Sequence, residues 1–244
     1  RDSSTSRGLG DVYKRQVGEE REYVEEAIKE GFEVIGFSDH SPYLFKNGYV
    51  SRIRMTMSQL EDYVKTIEAL KKEYREDITI FLALEMEYFP GIFEPTIEEI
   101  RQYPMDYLLL AQHFFYENES FISVRQNWTD EMHLKSYVDL LTNALDTGYF
   151  NMVAHPDIVN FTGDEALYTK YMKKLADRLK DEQIPIEINV NGFRELCNYP
   201  DRRFVKLGVE NGNEFIIGVD AHNPDEYHDC LLYTSPSPRD VEES

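Results

Sequence analysis

The 244-residue chain carries 46 acidic and 26 basic residues, a formal net charge of −20 at pH 7. A surface this acidic repels phosphate backbones, which argues against nucleic acid as a partner. No apolar run approaches the length that spans a membrane, so we predict no membrane partner either.

The two ends of the chain do not read as natural protein. One DNA reading of CLLYTSPSPRD (230–240) has a reverse complement that encodes Ser6 through Arg15, and this inverted repeat resembles the transposase adapters of sequencing libraries. We therefore predict that residues 1–16 and 230–244 are adapter-derived and that residues 17–229 form a single domain truncated at both ends. Cys197 is then the domain's one cysteine, which permits no disulfide and indicates a reducing, cytoplasmic location.

Short apolar runs alternate with helical patterns along residues 17–229. Helices are predicted at Glu19–Glu30, Met57–Tyr74, Pro95–Gln102, Glu131–Thr147, Glu165–Lys180 and Arg202–Glu210. Strands are predicted at 33–37, 78–84, 106–111, 151–154, 185–190 and 214–219. Continuous apolar strands alternating with helices indicate a parallel sheet covered by helices. Six such units favour an α/β barrel with one strand missing upstream of the first helix, and an open doubly wound sheet is the alternative.

Histidines and carboxylates follow the ends of the apolar strands. They are His40, Glu85, His113, His155, Asp220 and His222. In a barrel of parallel strands the carboxyl ends meet at one rim, where active sites form. One strand-end histidine could be purely structural, but a buried glutamate must be paired or coordinated. The joint pattern favours a metal site, with Glu87 as a weaker candidate ligand.

The motifs GFSDHSPY, ALEMEYFP, AQHFF, VAHPDIV, INVNGFRE and GVDAH, in this order, resemble the polymerase-and-histidinol-phosphatase (PHP) superfamily. The resemblance is nearest to its histidinol-phosphatase group. It implies a distorted, TIM-like (β/α)7 barrel, here lacking its first strand. It also implies a trinuclear site for divalent metals, with manganese, iron or zinc as occupants. The expected reaction is hydrolysis of a small phosphate monoester, which for this group is L-histidinol phosphate in histidine biosynthesis.

The resemblance also assigns ligands. Glu85 should bridge two metals, one completed by His113 and His155 and the other served by Asp220, and the third metal should belong to His40 and His222. The family opens with a His-x-His motif on its first strand, and RGLGDVYKRQ (7–16) stands in that place. The metal shared by Glu85 and Asp220 should therefore be poorly held.

For the chemistry we hypothesise in-line attack on phosphorus by metal-activated water, with Asp220 protonating the leaving alkoxide. Arg194 and Arg54 are candidates to hold the phosphate oxygens, because guanidinium offers paired donors. Arg194 could equally form a surface salt bridge. Asn189 is a further substrate-binding candidate.

Two alternatives to a histidinol-phosphatase stay open. The first is a PHP phosphoesterase for another small ester, such as a nucleotide, sugar or tyrosine phosphatase or a small exonuclease. The second is a non-catalytic module that binds metal or a partner, which the missing first strand makes plausible for this chain.

Overall fold

The computed structural model describes residues 2–5, 18–45 and 49–228, and helices and strands alternate along them. The helices are α1 (Glu20–Lys29), α2 (Met57–Glu73), α3 (Phe93–Ile100), α4 (Glu131–Asp146), α5 (Glu165–Asp181), α6 (Val190–Arg194) and α7 (Arg202–Asn211). The strands are β1 (Asp2–Thr5), β2 (Val34–His40), β3 (Thr79–Met86), β4 (Tyr107–Leu110), β5 (Phe114–Glu117), β6 (Ser120–Ser123), β7 (Met152–Val153), β8 (Ile186–Asn189) and β9 (Phe215–Gly218).

The strands form two parallel sheets and one hairpin. The larger sheet has the order β1-β2-β3-β4-β7, while β8 pairs with β9 in parallel and β5 pairs with β6 antiparallel. Strand β1 also contacts β9, so the two parallel sheets adjoin at that edge. This confirms the predicted α/β class, with the carboxyl ends of the parallel strands on one side of the fold.

The core lies between the sheet and the helices that cover it. Helix α2 buries Leu60, Tyr63, Ile67 and Leu70, whose three- and four-residue spacing places them on one face. Strand β2 is buried over its central five residues, as expected when both faces of a parallel strand are covered. Among the described residues no helix is both long and apolar enough to cross a bilayer.

The hairpin β5–β6 and the short helix α6 were not predicted. The hairpin turns at Asn118 and Glu119, whose φ angles of 47° and 61° are those of a left-handed two-residue turn. Asn-Gly is the usual sequence for such a turn, and the glutamate here removes that signal. Helix α6 is five residues long, too short for a periodic pattern to reveal it.

A correction concerns the strand expected to be missing. Asp2–Thr5 pairs in parallel with β2, with Asp2 opposite Val34 and Thr5 opposite Phe37. An unpaired strand edge offers main-chain hydrogen bonds to any extended segment, whatever its side chains. The sequence of β1 is DSST, which contains no histidine. Most of residues 1–16, and all of 230–244, lie outside the described residues, and their adapter origin stays a prediction.

At Gly192 the backbone of α6 packs directly against the main chain of Tyr199, and this close contact holds α6 near the strand ends. A Cβ at Gly192 would lie 2.3 Å from the main-chain oxygen of Tyr199, whereas one at Gly208 in α7 would meet the side-chain tips of Ile186 and Phe215. We expect Gly192→Ala to lower the free energy of unfolding by about 1–3 kcal/mol, as overpacking does.

Gly208→Ala is the matched comparison, because side chains move more readily than backbone and the helix interior favours alanine. Chemical denaturation of both variants checks this expectation. A Gly192→Ala variant as stable as the parent chain would contradict the close approach.

Candidate metal centre

Two adjacent strands bring the first pair of predicted ligands together. His40 and Glu85 are direct partners in the register of β2 and β3. The Nδ1 atom of His40 lies 2.8 Å from one carboxylate oxygen of Glu85, and Nε2 of His155 lies 3.6 Å from the other. Glu85 is therefore placed between imidazoles that come from β2 and from the segment after β7.

His113, which follows β4, completes the cluster. Its ring centroid lies 5.2 Å from that of His40 and 4.9 Å from that of His155. One ligand atom from each of His40, Glu85 and His113 lies within 4.8 Å of the others. Imidazole nitrogen and carboxylate oxygen bind zinc at about 2.0–2.2 Å, so one ion could contact all three groups.

Burial sets the protonation of this cluster. Burial alone would raise the pKa of Glu85, but the His40 and His113 imidazoles outweigh it and hold that pKa well below its usual value. For His155 burial lowers the pKa, and the hydrogen bond and charge of Glu85 reverse this, giving a pKa of about 9. Without metal, the buried carboxylate is thus neutralised by a protonated histidine.

The donor set suits a divalent metal. Among the described residues the buried Nδ1 atom of His155 has no hydrogen-bond partner, and that of His113 has only the Glu87 carboxylate 3.8 Å away, beyond hydrogen-bond distance. Such atoms normally find a partner, and a bound ion or water is the usual one at a polar site. Imidazoles with a carboxylate are ligands that zinc, manganese and iron all accept, so the residues present fit the predicted metals.

Asp220 and His222 follow β9. Asp220 has a φ of 48°, and its Oδ2 accepts hydrogen bonds from the side-chain amides of Asn189 (3.3 Å) and Asn191 (3.2 Å). Nδ1 of His222 lies 2.9 Å from the Asp220 main-chain oxygen and 3.7 Å from its Oδ1. These two residues line the same cavity of about 550 Å³ as His40, Glu85, His113 and His155. All six predicted ligands therefore face one space.

Arg125 is a cavity residue that the sequence analysis did not find. Of the described residues that line the cavity, it is the one lysine or arginine. It follows β6, and the preceding residue, Val124, donates its main-chain N–H to the oxygen of His113 at 2.9 Å. The guanidinium lies 2.9 Å from Sγ of Cys197 and 5.7 Å from the Tyr199 ring centroid. The unpredicted hairpin brings it there, which explains why spacing along the sequence gave no signal.

The structure places Arg54 and Glu87 beside the cavity, as a buried ion pair. Neither is among the described residues that line it. Glu87 accepts the main-chain N–H groups of His113 (2.9 Å) and Phe114 (2.8 Å). The Arg54 guanidinium lies 5.4–5.8 Å from four aromatic ring centroids, those of Tyr43, Phe89, Phe114 and Phe121. In this position the pair supports the His113 backbone.

Glu187 in β8 is a second residue that the sequence analysis missed. It is 3% exposed, and its Oε2 accepts the His155 main-chain N–H at 2.6 Å and the Asn189 amide at 3.1 Å. Burial raises its pKa, against the lowering effect of His155. A glutamate inside the apolar run PIEINV was a usable signal, because such a group needs a buried partner.

An α/β fold with histidines and carboxylates gathered at its strand ends is the arrangement of a metal-dependent barrel-type enzyme. Residues 17–191 match the PHP domain, more than half of the chain, so the chain belongs to the PHP family. A Deinococcus radiodurans protein named "Probable histidinol-phosphatase" is 25% identical over 215 residues, covering 86% of this chain and 82% of that protein.

Two solved structures share the fold. A Listeria monocytogenes protein named "putative histidinol phosphatase" superposes with a TM-score of 0.77 at 18% identity, covering 96% of this chain and 100% of that one. Histidinol phosphate phosphatase from Lactococcus lactis, complexed with zinc, L-histidinol and phosphate, gives a TM-score of 0.67 at 18% identity, covering 96% and 94%.

Metal affinity should depend on pH through His155. Because its pKa in the metal-free protein is about 9, His155 is protonated at neutral pH and must lose that proton to bind a metal. We expect zinc affinity, measured by chelator competition, to rise by about tenfold per pH unit between pH 6 and 8.5 for each proton displaced. An affinity that does not change over this range would contradict a ligand role for His155.

Proposed function

We propose that the protein is a metal-dependent phosphate monoester hydrolase whose substrate is L-histidinol phosphate, acting in histidine biosynthesis in the cytoplasm. The observation that carries the proposal is the convergence of four histidines, Glu85 and Asp220 on one cavity that also holds an arginine. Membership of the PHP family and the names of the relatives support the same reaction and substrate.

The proposed metals are three divalent ions, of manganese, iron or zinc. Their ligands would be Glu85 with His113, His155 and Asp220 for one pair, and His40 with His222 for the third. Bound metals would lower the pKa of coordinated water towards about 7 and neutralise phosphate oxygens. The chain's own residues then orient the ester, hold its charge and supply the proton.

Two residues would act directly on the substrate. Arg125 would donate paired hydrogen bonds to the phosphate oxygens that do not react, since its guanidinium lines the cavity. Asp220 would accept a proton from the attacking water and pass it to the departing alkoxide, because its carboxyl group lines the same space. Arg194 and Asn189 remain predicted substrate-binding residues, although their side chains take part in hydrogen bonds around Asp220.

A second candidate is a chain that binds metal without turnover. The observation in its favour is β1, which occupies the place of the family's first strand without either expected histidine. A substrate other than L-histidinol phosphate would keep the same residues and change only what the cavity accepts.

The test measures phosphate release from L-histidinol phosphate, with nucleotide and sugar phosphates run beside it. Two proteins are compared with manganese or zinc supplied: the chain as it stands, and a form in which a His-x-His strand replaces residues 1–16. We expect the second form to hydrolyse L-histidinol phosphate preferentially. Metal-bound protein that releases no phosphate from any ester would instead support the non-catalytic candidate.

Arg125→Met should raise KM for the phosphate ester more than it lowers kcat. The loss of a charge-assisted hydrogen bond costs about 1.5–3 kcal/mol, which corresponds to roughly 10–150-fold. Steady-state kinetics of the form with the restored strand measures it. Arg101→Met is the matched control, because Arg101, the residue after α3, forms an exposed ion pair with Glu98. An unchanged KM would remove Arg125 from substrate binding.

A further inference from the structure

The residues around Asp220 form one continuous hydrogen-bonded chain. Nη2 of Arg194 lies 2.8 Å from Oε2 of Glu226 in an ion pair and donates to Oδ1 of Asn191 at 2.8 Å, and the main-chain oxygen of Asp220 lies 3.5 Å from the same nitrogen. Asn191 in turn donates to the Asp220 carboxylate. One guanidinium nitrogen thus contacts both the side chain that orients Asp220 and the Asp220 backbone.

Glu226 binds the backbone of the residues that follow Asp220. Its Oε2 accepts the main-chain N–H groups of His222 at 2.6 Å and Asn223 at 3.2 Å, in addition to the Arg194 guanidinium. The segment with Asp220 and His222 is therefore bound to α6 both by this ion pair and by the Asn191–Asp220 hydrogen bond. The Arg194 and Glu226 side chains are 15% and 21% exposed, so the pair is largely shielded from water.

The backbone of this segment needs such support. Asp220 has a φ of 48°, in the left-handed region that a residue with a Cβ adopts at a cost. Strained positions of this kind persist only where surrounding contacts determine them. Asn189 continues this hydrogen-bonded network. Its side-chain amide donates to Asp220 and to Glu187, and Glu187 accepts the main-chain N–H of His155.

From this geometry we infer that Arg194 is a positioning residue, which fixes Asp220 and His222 as metal ligands through Glu226 and Asn191. This inference rests on the proposed metal centre but not on the identity of the substrate. It gives Arg194 a task different from the phosphate binding predicted from sequence. Outer contacts of this kind typically change metal affinity by about 10–100-fold.

The two possible roles of Arg194, phosphate binding and ligand positioning, predict different results when Glu226 is replaced. If Arg194 binds phosphate, removing the neighbouring carboxylate at Glu226 leaves phosphate binding unchanged or strengthens it, because a negative charge is lost. If Arg194 positions the ligands, removing either member of the ion pair loosens the same segment. Glu226→Ala and Arg194→Met should then have the same effect on metal affinity.

The experiment uses the full chain and measures zinc affinity by equilibrium dialysis, then binding of inorganic phosphate to the zinc-loaded protein. We expect Arg194→Met and Glu226→Ala each to weaken zinc binding about tenfold, and the double variant to be no worse than either single one. Arg75→Met and Glu76→Ala, which break an exposed ion pair, are the matched controls and should leave zinc affinity unchanged.

Two outcomes would overturn the inference. One is weaker phosphate binding in Arg194→Met with zinc affinity unchanged, which would make Arg194 a substrate-binding residue. The other is unchanged zinc affinity in Glu226→Ala. Should Arg194→Met fail to fold by circular dichroism, Arg194→Lys keeps a positive charge and N–H donors on a side chain of similar length, and a smaller loss of zinc affinity in Arg194→Lys than in the Glu226→Ala variant supports the positioning role. Failure of the chain to hydrolyse L-histidinol phosphate would leave these binding results intact.

Discussion

Replacing Glu85 by glutamine should abolish metal-dependent phosphate release and lower zinc affinity by at least about 100-fold, since a central ligand loses its charge. Glu85 lies between His40 and His155, and its negative charge faces these imidazoles and any cation bound beside them. Glutamine has nearly the same shape, so the fold should survive while the charge is lost. The measurements are zinc bound per chain after dialysis, and phosphate released by the form with the restored His-x-His strand.

Glu61→Gln is the matched control for Glu85→Gln. Glu61 pairs with Lys65 on the exposed face of α2, and its pKa is lowered by the hydrogen bond and charge of that lysine. The control should keep both zinc binding and activity. A Glu85→Gln protein that binds as much zinc as the parent chain would show that the cluster is a structural ion pair without a metal.

The largest expected effect on stability comes from Arg54→Met. This change leaves Glu87 buried without its cation, and breaking a buried ion pair on one side costs about 3–5 kcal/mol of unfolding free energy. Burial would by itself raise the pKa of Glu87, but Arg54 and His113 together outweigh that effect and lower the pKa, so the carboxylate is charged in the intact pair. Urea unfolding of Arg54→Met measures the loss.

Arg21→Met supplies the control for Arg54→Met. Arg21 makes a two-point contact with Glu73, at exposed fractions of 46% and 50%, and an exposed pair contributes only about 0–1 kcal/mol. The double variant Arg54→Met/Glu87→Gln should recover part of the stability, because the uncompensated charge is removed. If Arg54→Met keeps full stability but raises KM for the ester, the predicted substrate-binding role of Arg54 would replace the structural one.

The predicted elements agree with the structure wherever the apolar pattern was long. Helix α2 and strand β3 begin and end within two residues of the sequence prediction, because their buried faces repeat over several turns or strand residues. Strand β7, by contrast, is two residues long against a prediction of 151–154. A short strand at the end of a sheet is defined by its pairing partner, and the sequence does not encode that partner locally.

The convergence of the candidate ligands on one cavity was predictable because each lies at or just after the end of an apolar strand, and their binding of metal stays a prediction. Arg125 was not predictable, because it depends on a hairpin whose turn lacks the usual glycine. Arg54 shows the converse: a charged residue in a loop suggested substrate binding, yet the fold encloses it among aromatic rings beside Glu87. The local sequence predicts which groups lie at a strand end. Which of these groups face the cavity depends on long-range packing.

The most direct test of the metal centre is anomalous diffraction at the zinc edge from crystals of the zinc-loaded chain. The account predicts peaks about 2.0–2.2 Å from ligand atoms of Glu85 and the histidines that line the cavity. The peak nearest Asp220 should be the weakest, because the family's first-strand histidines are absent from β1. Zinc bound only elsewhere on the protein, with this cavity empty, would contradict the account.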